Sequence, residues 1–386
     1  MEVRFVTERA DTFSAKYRQS CGNDSPGLIY CGVADMDAAA PEILLQAMRE
    51  RLDHGVMGYT DLPEDYKKLV AGWMETQYDC PVSPDWVLFS PRINMALNMV
   101  IDTFTKPGDS VIVNTPAYPA LTDAVEKWGR TLKESPLILS EGKFRIDFDG
   151  LEQLLDERTS AYLLCNPHNP TGRVWSKEEL EKIVDFCKRH DLILLSDDIH
   201  ADFVWQDRVY TPVLKLYEEP EREKVVIFNS MTKTLNIPGL IFSNVILPNP
   251  IIRAELARTI DRWGLHNPNV FVSDILRPAY TECSEWICKI KALIFGNICM
   301  AETFIKKKLP EFDVYIPEGT YLMWIGYERT GWTEDEMKGR LENQAGLVPL
   351  MGSHFKEAGR GYFRLNMGTS KEQATEILER LVLCWA

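Results

Sequence analysis

One lysine stands among hydroxyl side chains in Asn229-Ser-Met-Thr-Lys233-Thr-Leu-Asn236. The residues just before it, Lys224-Val-Val-Ile-Phe228, are branched and aromatic after a charged start, which is how a buried parallel strand reads. A lysine at the carboxyl end of a buried strand is poorly solvated, so its amine is more easily neutral and nucleophilic. Such an amine can form a Schiff base, and Ser230 and Thr232 beside it could hold a phosphate. Alone the motif is weak, because most lysines near strand ends are solvated charges. Two more strand ends strengthen it.

Ser160-Ala-Tyr-Leu-Leu-Cys165 reads as a strand and Asn166-Pro-His-Asn169-Pro-Thr-Gly172 as a rigid loop. Ser176-Lys-Glu-Glu179 is a capping box that opens a helix with Leu180, Ile183, Val184 and Cys187 on its inner face. Asp191-Leu-Ile-Leu-Leu-Ser196 is the next strand, ending at Asp197-Asp-Ile-His200. From Asn169 to Asp197 is 28 residues and from Asp197 to Lys233 is 36, each enough for one helix and one strand. The three residues therefore fall at carboxyl ends of strands in one sheet, the edge where open α/β folds bind ligands.

Earlier segments repeat that design. Val87-Leu-Phe-Ser-Pro-Arg-Ile-Asn predicts a strand, a break and a helix start, with the amides of Ile93 and Asn94 free for a phosphate and Arg92 either adding a charge there or standing as a surface arginine. The strand from Asp109 to Asn114 leads into a proline-bounded turn that projects Tyr118, able to stack on a planar ligand or simply to pack. A helix from Pro41 carries Ile43, Leu44, Ala47, Met48 and Leu52 at helical spacing. His54-Gly-Val-Met-Gly-Tyr59 is a turn bracketed by glycines. Helical patterns run to Arg262 and from about Ser284 to Lys308, and the passage into a smaller domain is placed at Arg277-Pro278. That domain holds strand-like Gly319–Ile325 and Gly361–Asn366 and a closing helix from Lys371 to Cys384. Arg364 interrupts an apolar strand, either as an edge-strand charge or as a carboxylate clamp.

Composition bounds the function. The chain of 386 residues is 45% hydrophobic and 26% charged, an ordinary globular balance. A net charge of −14 argues against nucleic acid as a partner. Nine cysteines without a C-x-x-C pair, no apolar signal region at the start and no apolar run near the ~18 residues of a membrane span predict a reduced, cytoplasmic protein with no membrane role.

A lysine amine, a buried aspartate, an asparagine and a phosphate cradle together suit pyridoxal 5′-phosphate, which needs a Schiff-base lysine and an acid partner for its ring nitrogen. Asp197 suits the nitrogen, Asn169 and His200 the ring's O3′, and Ser230, Thr232 and the amides near Ile93 the phosphate.

Several runs carry a closer likeness: Val33-Ala-Asp-Met-Asp37, His54-Gly-Val-Met-Gly-Tyr-Thr60, Asn166-Pro-His-Asn-Pro-Thr-Gly-Arg-Val-Trp175, Ser196-Asp-Asp-Ile-His200, Thr232-Lys-Thr-Leu-Asn236 and Gly319-Thr-Tyr-Leu. Through them the chain resembles fold-type I pyridoxal-phosphate enzymes of the class I/II aminotransferase superfamily. Within these it is similar to the MalY/PatB group of cystathionine β-lyases. The resemblance implies an α/β large domain over 41–277, with a mostly parallel sheet flanked by helices, and a small α+β domain over 278–386. It also implies that residues 1–40 pack with the small domain.

By the same resemblance Lys233 is the Schiff-base lysine, Asp197 partners the pyridine nitrogen and Tyr118 stacks on the ring. Asn169 contacts O3′ and the substrate carboxylate, which Arg364 clamps. Tyr59 reaches the phosphate of a neighbouring subunit, so a homodimer with shared active sites is implied. The chain departs from the pattern at Asp198, Thr232, Leu235 and Ile241, the last where many such enzymes carry a phosphate-binding arginine. Arg92 is taken to compensate. The expected reaction is β-elimination from an S-substituted cysteine such as cystathionine, giving thiol, pyruvate and ammonia. A thiol of pKa ~8.5 is a tolerable leaving group. The alternatives are an aminotransferase and a pyridoxal-binding regulatory module with little turnover.

Overall fold

A computed structural model describes residues 2–9, 12–18, 27–205 and 208–385. Its centre is a seven-stranded sheet. In chain order the strands are β1 (Val87–Ser90), β2 (Ser110–Thr115), β3 (Thr131–Pro136), β4 (Thr159–Cys165), β5 (Ile193–Asp197), β6 (Val225–Asn229) and β7 (Ser243–Ile246). Their spatial order is β1-β7-β6-β5-β4-β2-β3, and only β7 runs antiparallel to its neighbours.

The residue pattern explains why helices cover both faces. Ile112, Tyr162, Leu164, Leu194, Val225 and Ile227 belong to one buried cluster. Their chain neighbours Val111, Val113, Ala161, Leu163, Leu195, Val226 and Phe228 belong to another. Strands apolar on both faces need cover on both. Helices α1 (Glu42–His54), α2 (Tyr66–Tyr78), α3 (Ile93–Phe104), α4 (Pro119–Glu126), α5 (Lys177–Arg189) and α6 (Pro250–Arg262) supply most of it. The capping box expected at Ser176 is present, with its hydroxyl accepting from Glu179 N and the Glu179 carboxylate from Ser176 N.

Helix α7 (Val270–Thr281) runs straight through Arg277-Pro278, so the predicted break there falls inside a helix. The reason lies in its partners. Asp274 pairs with Arg51 of α1, Arg277 with Asp65, and the Tyr280 ring meets Trp73 of α2 edge-on. These contacts tie α7 to the large sheet's helices, and the long α8 (Ser284–Lys308) begins only after Cys283. Leu52, one of the apolar residues at helical spacing on α1, is exposed at 58%.

A second sheet contains β8 (Asp313–Tyr315), β9 (Leu322–Gly326), β10 (Leu350–Met351) and β11 (Tyr362–Asn366), ordered β8-β9-β11-β10 and antiparallel throughout. Helices α8 and α9 (Lys371–Leu381) accompany it. The amino-terminal segment joins this unit: Ile29–Tyr30 pairs with Leu347–Val348, and Asn366 Nδ2 donates to the carbonyls of Val33 and Asp35 (2.6 and 2.5 Å).

Candidate active site

A cavity of about 520 Å³ opens at the carboxyl edge of the large sheet, where the small sheet and the amino-terminal segment meet it. Ten of the residues singled out in the sequence line it: Arg92, Ile93, Asn94, Tyr118, Asn169, Asp197, His200, Thr232, Lys233 and Arg364. Register brings them together. Cys165 at the end of β4 is opposite Asp197 at the end of β5, and Asp197 is opposite Phe228 on β6, so the loops that follow leave the sheet side by side.

Lys233 rides on the single helical turn Met231–Thr234 beyond β6. Its Nζ donates to the carbonyl of Ala34, which brings the amino-terminal segment against the lysine. Burial lowers its pKa from 10.5 to about 8; Asp35 and Asp197 partly restore it, and Arg364 pushes the other way. The amine thus sits where a small change of environment frees it of its proton. Asp197 is buried, and that burial raises its pKa from 3.8 to about 6. Among the described residues its carboxylate accepts one hydrogen bond, from Ile199 N at 3.3 Å, so most of its acceptor capacity faces the cavity. His200 is held neutral by burial, with Lys233 and Arg364 adding to the effect, and its Nδ1 is buried without a partner among the described residues.

Arg364 settles one of the open alternatives. It sits on β11, an interior strand of the small sheet, and is 1% exposed, so the edge-strand reading is overturned. Its Nη1 donates to Asn169 Oδ1 and its Nη2 to Gly32 O, both at 2.7 Å, and its guanidinium lies over the Phe355 ring. Nε remains buried without a partner among the described residues. A cation this deep, with pKa lowered by burial to about 10, needs an anion to complete its bonding.

The loop carrying Asn169 is rigid for identifiable reasons. His168 N donates to Arg173 O and Gly172 N to His168 O, both at 2.7 Å, while Trp175 Nε1 donates to Cys165 O at 2.9 Å. Arg173 bonds Glu179, Glu318 and the carbonyl of Phe144, tying the loop to both structural units. Gly172 has φ +69°, and a Cβ there would lie 2.4 Å from Pro317 Cβ.

The amides of Ile93 and Asn94 are at the start of α3, whose N-cap residue Arg92 makes no side-chain capping bond. An uncapped helix start on a cavity wall suits an anion. Tyr118, 41% exposed, forms the rim as the N-cap of α4. Ser230 departs from expectation. Its hydroxyl caps the lysine turn, accepting from Thr232 N (3.1 Å) and donating to Phe242 O (2.6 Å), and it does not line the cavity. Tyr59 is fully exposed and lies off this cavity too. Sequence reasoning missed Val33 and Ala34 as wall residues although both lie in a quoted motif, and it missed Asp123, Leu350 and His354 altogether. Ile241, at φ +59°, lines the cavity where an arginine was looked for.

The chain is a member of the aminotransferase class I and II family, whose model matches residues 31–381. It is 35% identical over 350 residues to cystathionine beta-lyase PatB of Bacillus subtilis (strain 168), with 90% of each chain covered. It is 29% identical over 344 residues to protein MalY of Escherichia coli (strain K12), covering 88% and 87%. Its structure matches cystalysin from Treponema denticola, which contains pyridoxal 5′-phosphate, with a TM-score of 0.94 and 32% identity over 100% and 99% of the chains.

Proposed function

We propose that this chain is a pyridoxal-phosphate-dependent carbon–sulfur β-lyase, releasing thiol, pyruvate and ammonia from cystathionine or related S-substituted L-cysteines. The observation that carries the proposal is the convergence of Lys233, Asp197 and the Arg364–Asn169 pair on one cavity, in a chain 35% identical to a named cystathionine beta-lyase. The unpartnered His200 Nδ1, the open acceptor positions of Asp197 and the uncapped start of α3 fit a planar ring bearing a hydroxyl, a ring nitrogen and a phosphate. Asp197 would hold the ring nitrogen, Asn169 and His200 the ring oxygen, and Thr232 with the amides of Ile93 and Asn94 the phosphate. Arg92 is the cation available to them, and Tyr118 would cover the ring from the rim.

When bound, the cofactor supplies an electron sink for the pair left at Cα. The chain does the rest. Asp197, as a buried carboxylate, keeps a proton on the ring nitrogen and so maintains that sink. Arg364 grips the substrate carboxylate through the donors it has left, fixing Cα relative to Lys233. The Lys233 amine, with its pKa pulled down toward neutrality by burial, removes the Cα proton and then holds it near the departing sulfur.

We also propose a cytoplasmic homodimer with a small-domain boundary after α7. Leu52, Val56, Met57 and Tyr59 are large, exposed and nearly consecutive, which supports an interface that would carry Tyr59 to a partner's site. The eight described cysteines are free thiols, as suits a reducing compartment. Among the described residues no helix is long and apolar enough to cross a membrane.

The test is the absorption spectrum of the purified protein, followed by addition of L-cystathionine with pyruvate and free thiol assayed. A cofactor band lost in Lys233→Ala, with pyruvate and thiol appearing together, is the expected result. Keto-acid exchange without thiol release would favour an aminotransferase instead. A protein that cannot be loaded with the cofactor sinks the proposal.

A further inference from the structure

One helical turn does not hold a lysine still, because an isolated turn gains too few hydrogen bonds to be stable. Lys233 rides on such a turn, and side chains from elsewhere anchor it. Beyond the turn, Asn236 accepts from Met36 N (2.9 Å) and donates to the carbonyls of Met36 and Ala38 (2.9 and 2.6 Å). Immediately after the lysine, the fully buried Thr234 donates its hydroxyl to Asp202 Oδ2. Asp202 takes two further donors from α2, Tyr78 OH and, at 3.3 Å, Trp73 Nε1.

Helix α2 grips the near side of the turn as well. Tyr66 OH donates to Asn244 Oδ1 at 2.5 Å, and Asn244 Nδ2 donates to Asn229 Oδ1 at 2.7 Å, on the last residue of β6. The same frame reaches the other key strand end. Asp198, next to Asp197, accepts from Ser196 Oγ (2.6 Å) and from Tyr210 OH, and the Tyr210 ring meets Tyr78 edge-on at 4.8 Å. A connected set of side chains thus runs from the neighbour of Asp197 to the neighbour of Lys233. Asp198, Tyr210, Tyr78, Asp202 and Thr234 all lie off the cavity. Asp202 also feels the charge of Lys291, but its hydrogen bonds come from Thr234, Tyr78 and Trp73, which have to be correctly aimed to satisfy it.

We propose that Asp202, braced by Tyr78 and Trp73 of α2, is a positioning residue that acts through Thr234 to aim Lys233 at the reacting carbon. The proposal rests on the role assigned to Lys233 above. It is tested by kinetics of Thr234→Val, Thr234→Ser, Asp202→Asn and the Thr234→Val/Asp202→Asn double variant, with melting of each cofactor-free protein. Thr234→Val should lower kcat about tenfold with KM changed less than about twofold, as a small misaiming of a catalytic group does. Thr234→Ser restores the donor and should stay within about twofold of the parent. The double variant should be no slower than the worse single one, because both changes act on the same Thr234–Asp202 contact.

Additive losses, a serine variant as slow as the valine one, or a folded Thr234→Val protein with unchanged kcat would each overturn the proposal. Should Thr234→Val not fold, Tyr78→Phe removes one brace of Asp202 and carries the same expectation in direction. If the parent shows no lyase activity while its cofactor band still depends on Lys233, the substrate reading fails by itself. The positioning is then read from pyridoxal 5′-phosphate affinity, which should weaken in Thr234→Val and recover in Thr234→Ser.

Discussion

Replacing Asp197 by asparagine should stabilise the cofactor-free protein while removing its activity. In the folded chain Asp197 is buried and its pKa is raised from 3.8 to about 6, chiefly by desolvation. A group whose folded pKa is raised binds its proton more tightly in the native state, so its contribution is most favourable below pH 3.8 and is lost as pH climbs through 6. Above that window the native state carries a carboxylate that burial disfavours by about 3 kcal/mol, at 1.36 kcal/mol per tenfold change in proton affinity. Asparagine keeps an oxygen for Ile199 N and carries no charge. Part of the gain is offset because Lys233 loses an attractive partner, so roughly 1–3 kcal/mol should remain at pH 7.5. The assay is thermal melting of the cofactor-free parent and Asp197→Asn between pH 4.5 and 8. The parent should lose stability relative to the variant as pH rises from 4.5 to 7, and the two curves should converge in acid. With cofactor added, the variant should release pyruvate at least about a hundredfold more slowly, a loss of roughly 3 kcal/mol or more in transition-state stabilisation. A variant that melts below the parent at pH 7.5, or a difference independent of pH, would refute the burial argument.

Other perturbations have equally definite signs. Arg364→Lys trades a two-pronged donor for a point charge and should lower kcat/KM for cystathionine by about 10- to 150-fold, equivalent to one charged hydrogen bond of 1.5–3 kcal/mol, as measured by initial rates. Gly172→Ala should lower the melting temperature by several degrees, because an added Cβ meets Pro317 at 2.4 Å in a backbone with φ +69°. Ser230→Ala should act mainly on stability, by about 1 kcal/mol for a lost cap, with cofactor affinity close to that of the parent. A large loss of affinity there would restore the phosphate role expected from sequence.

Lys233 itself tests the linkage on the basic side. Its folded pKa is lowered from 10.5 to about 8, so the unfolded chain binds the proton more tightly between those values. The parent should therefore gain stability relative to Lys233→Met as pH rises from 8 to 10.5, and a flat difference in melting temperature across that range would contradict the assignment.

Local sequence determined the elements and the names of most residues at the site. The capping box at Ser176, the apolar runs ending at Cys165 and Asp197, and the hydroxyl-flanked Lys233 each carry their structural meaning in a few neighbouring residues. Short-range physics decides them: strand and helix periodicity, capping bonds, and the rule that parallel strands end at a binding edge. Tertiary structure decided the rest, because what mattered there was contact between residues far apart in the chain. Arg364 was ambiguous until β11 proved interior and Asn169, 195 residues away, proved to be its partner. Ser230 looked like a phosphate ligand until the carbonyl of Phe242 claimed its hydroxyl. Pro278 looked like a boundary until α7 was seen to be pinned to α1 and α2. Asp202 carried no local signal at all, and Thr234 stood in the lysine motif with no role of its own. Their meaning lies in α2, which crosses behind the lysine more than 120 residues earlier in the chain. Nor could the sequence supply the shifts at Lys233 and Asp197, since desolvation is a property of the assembled site.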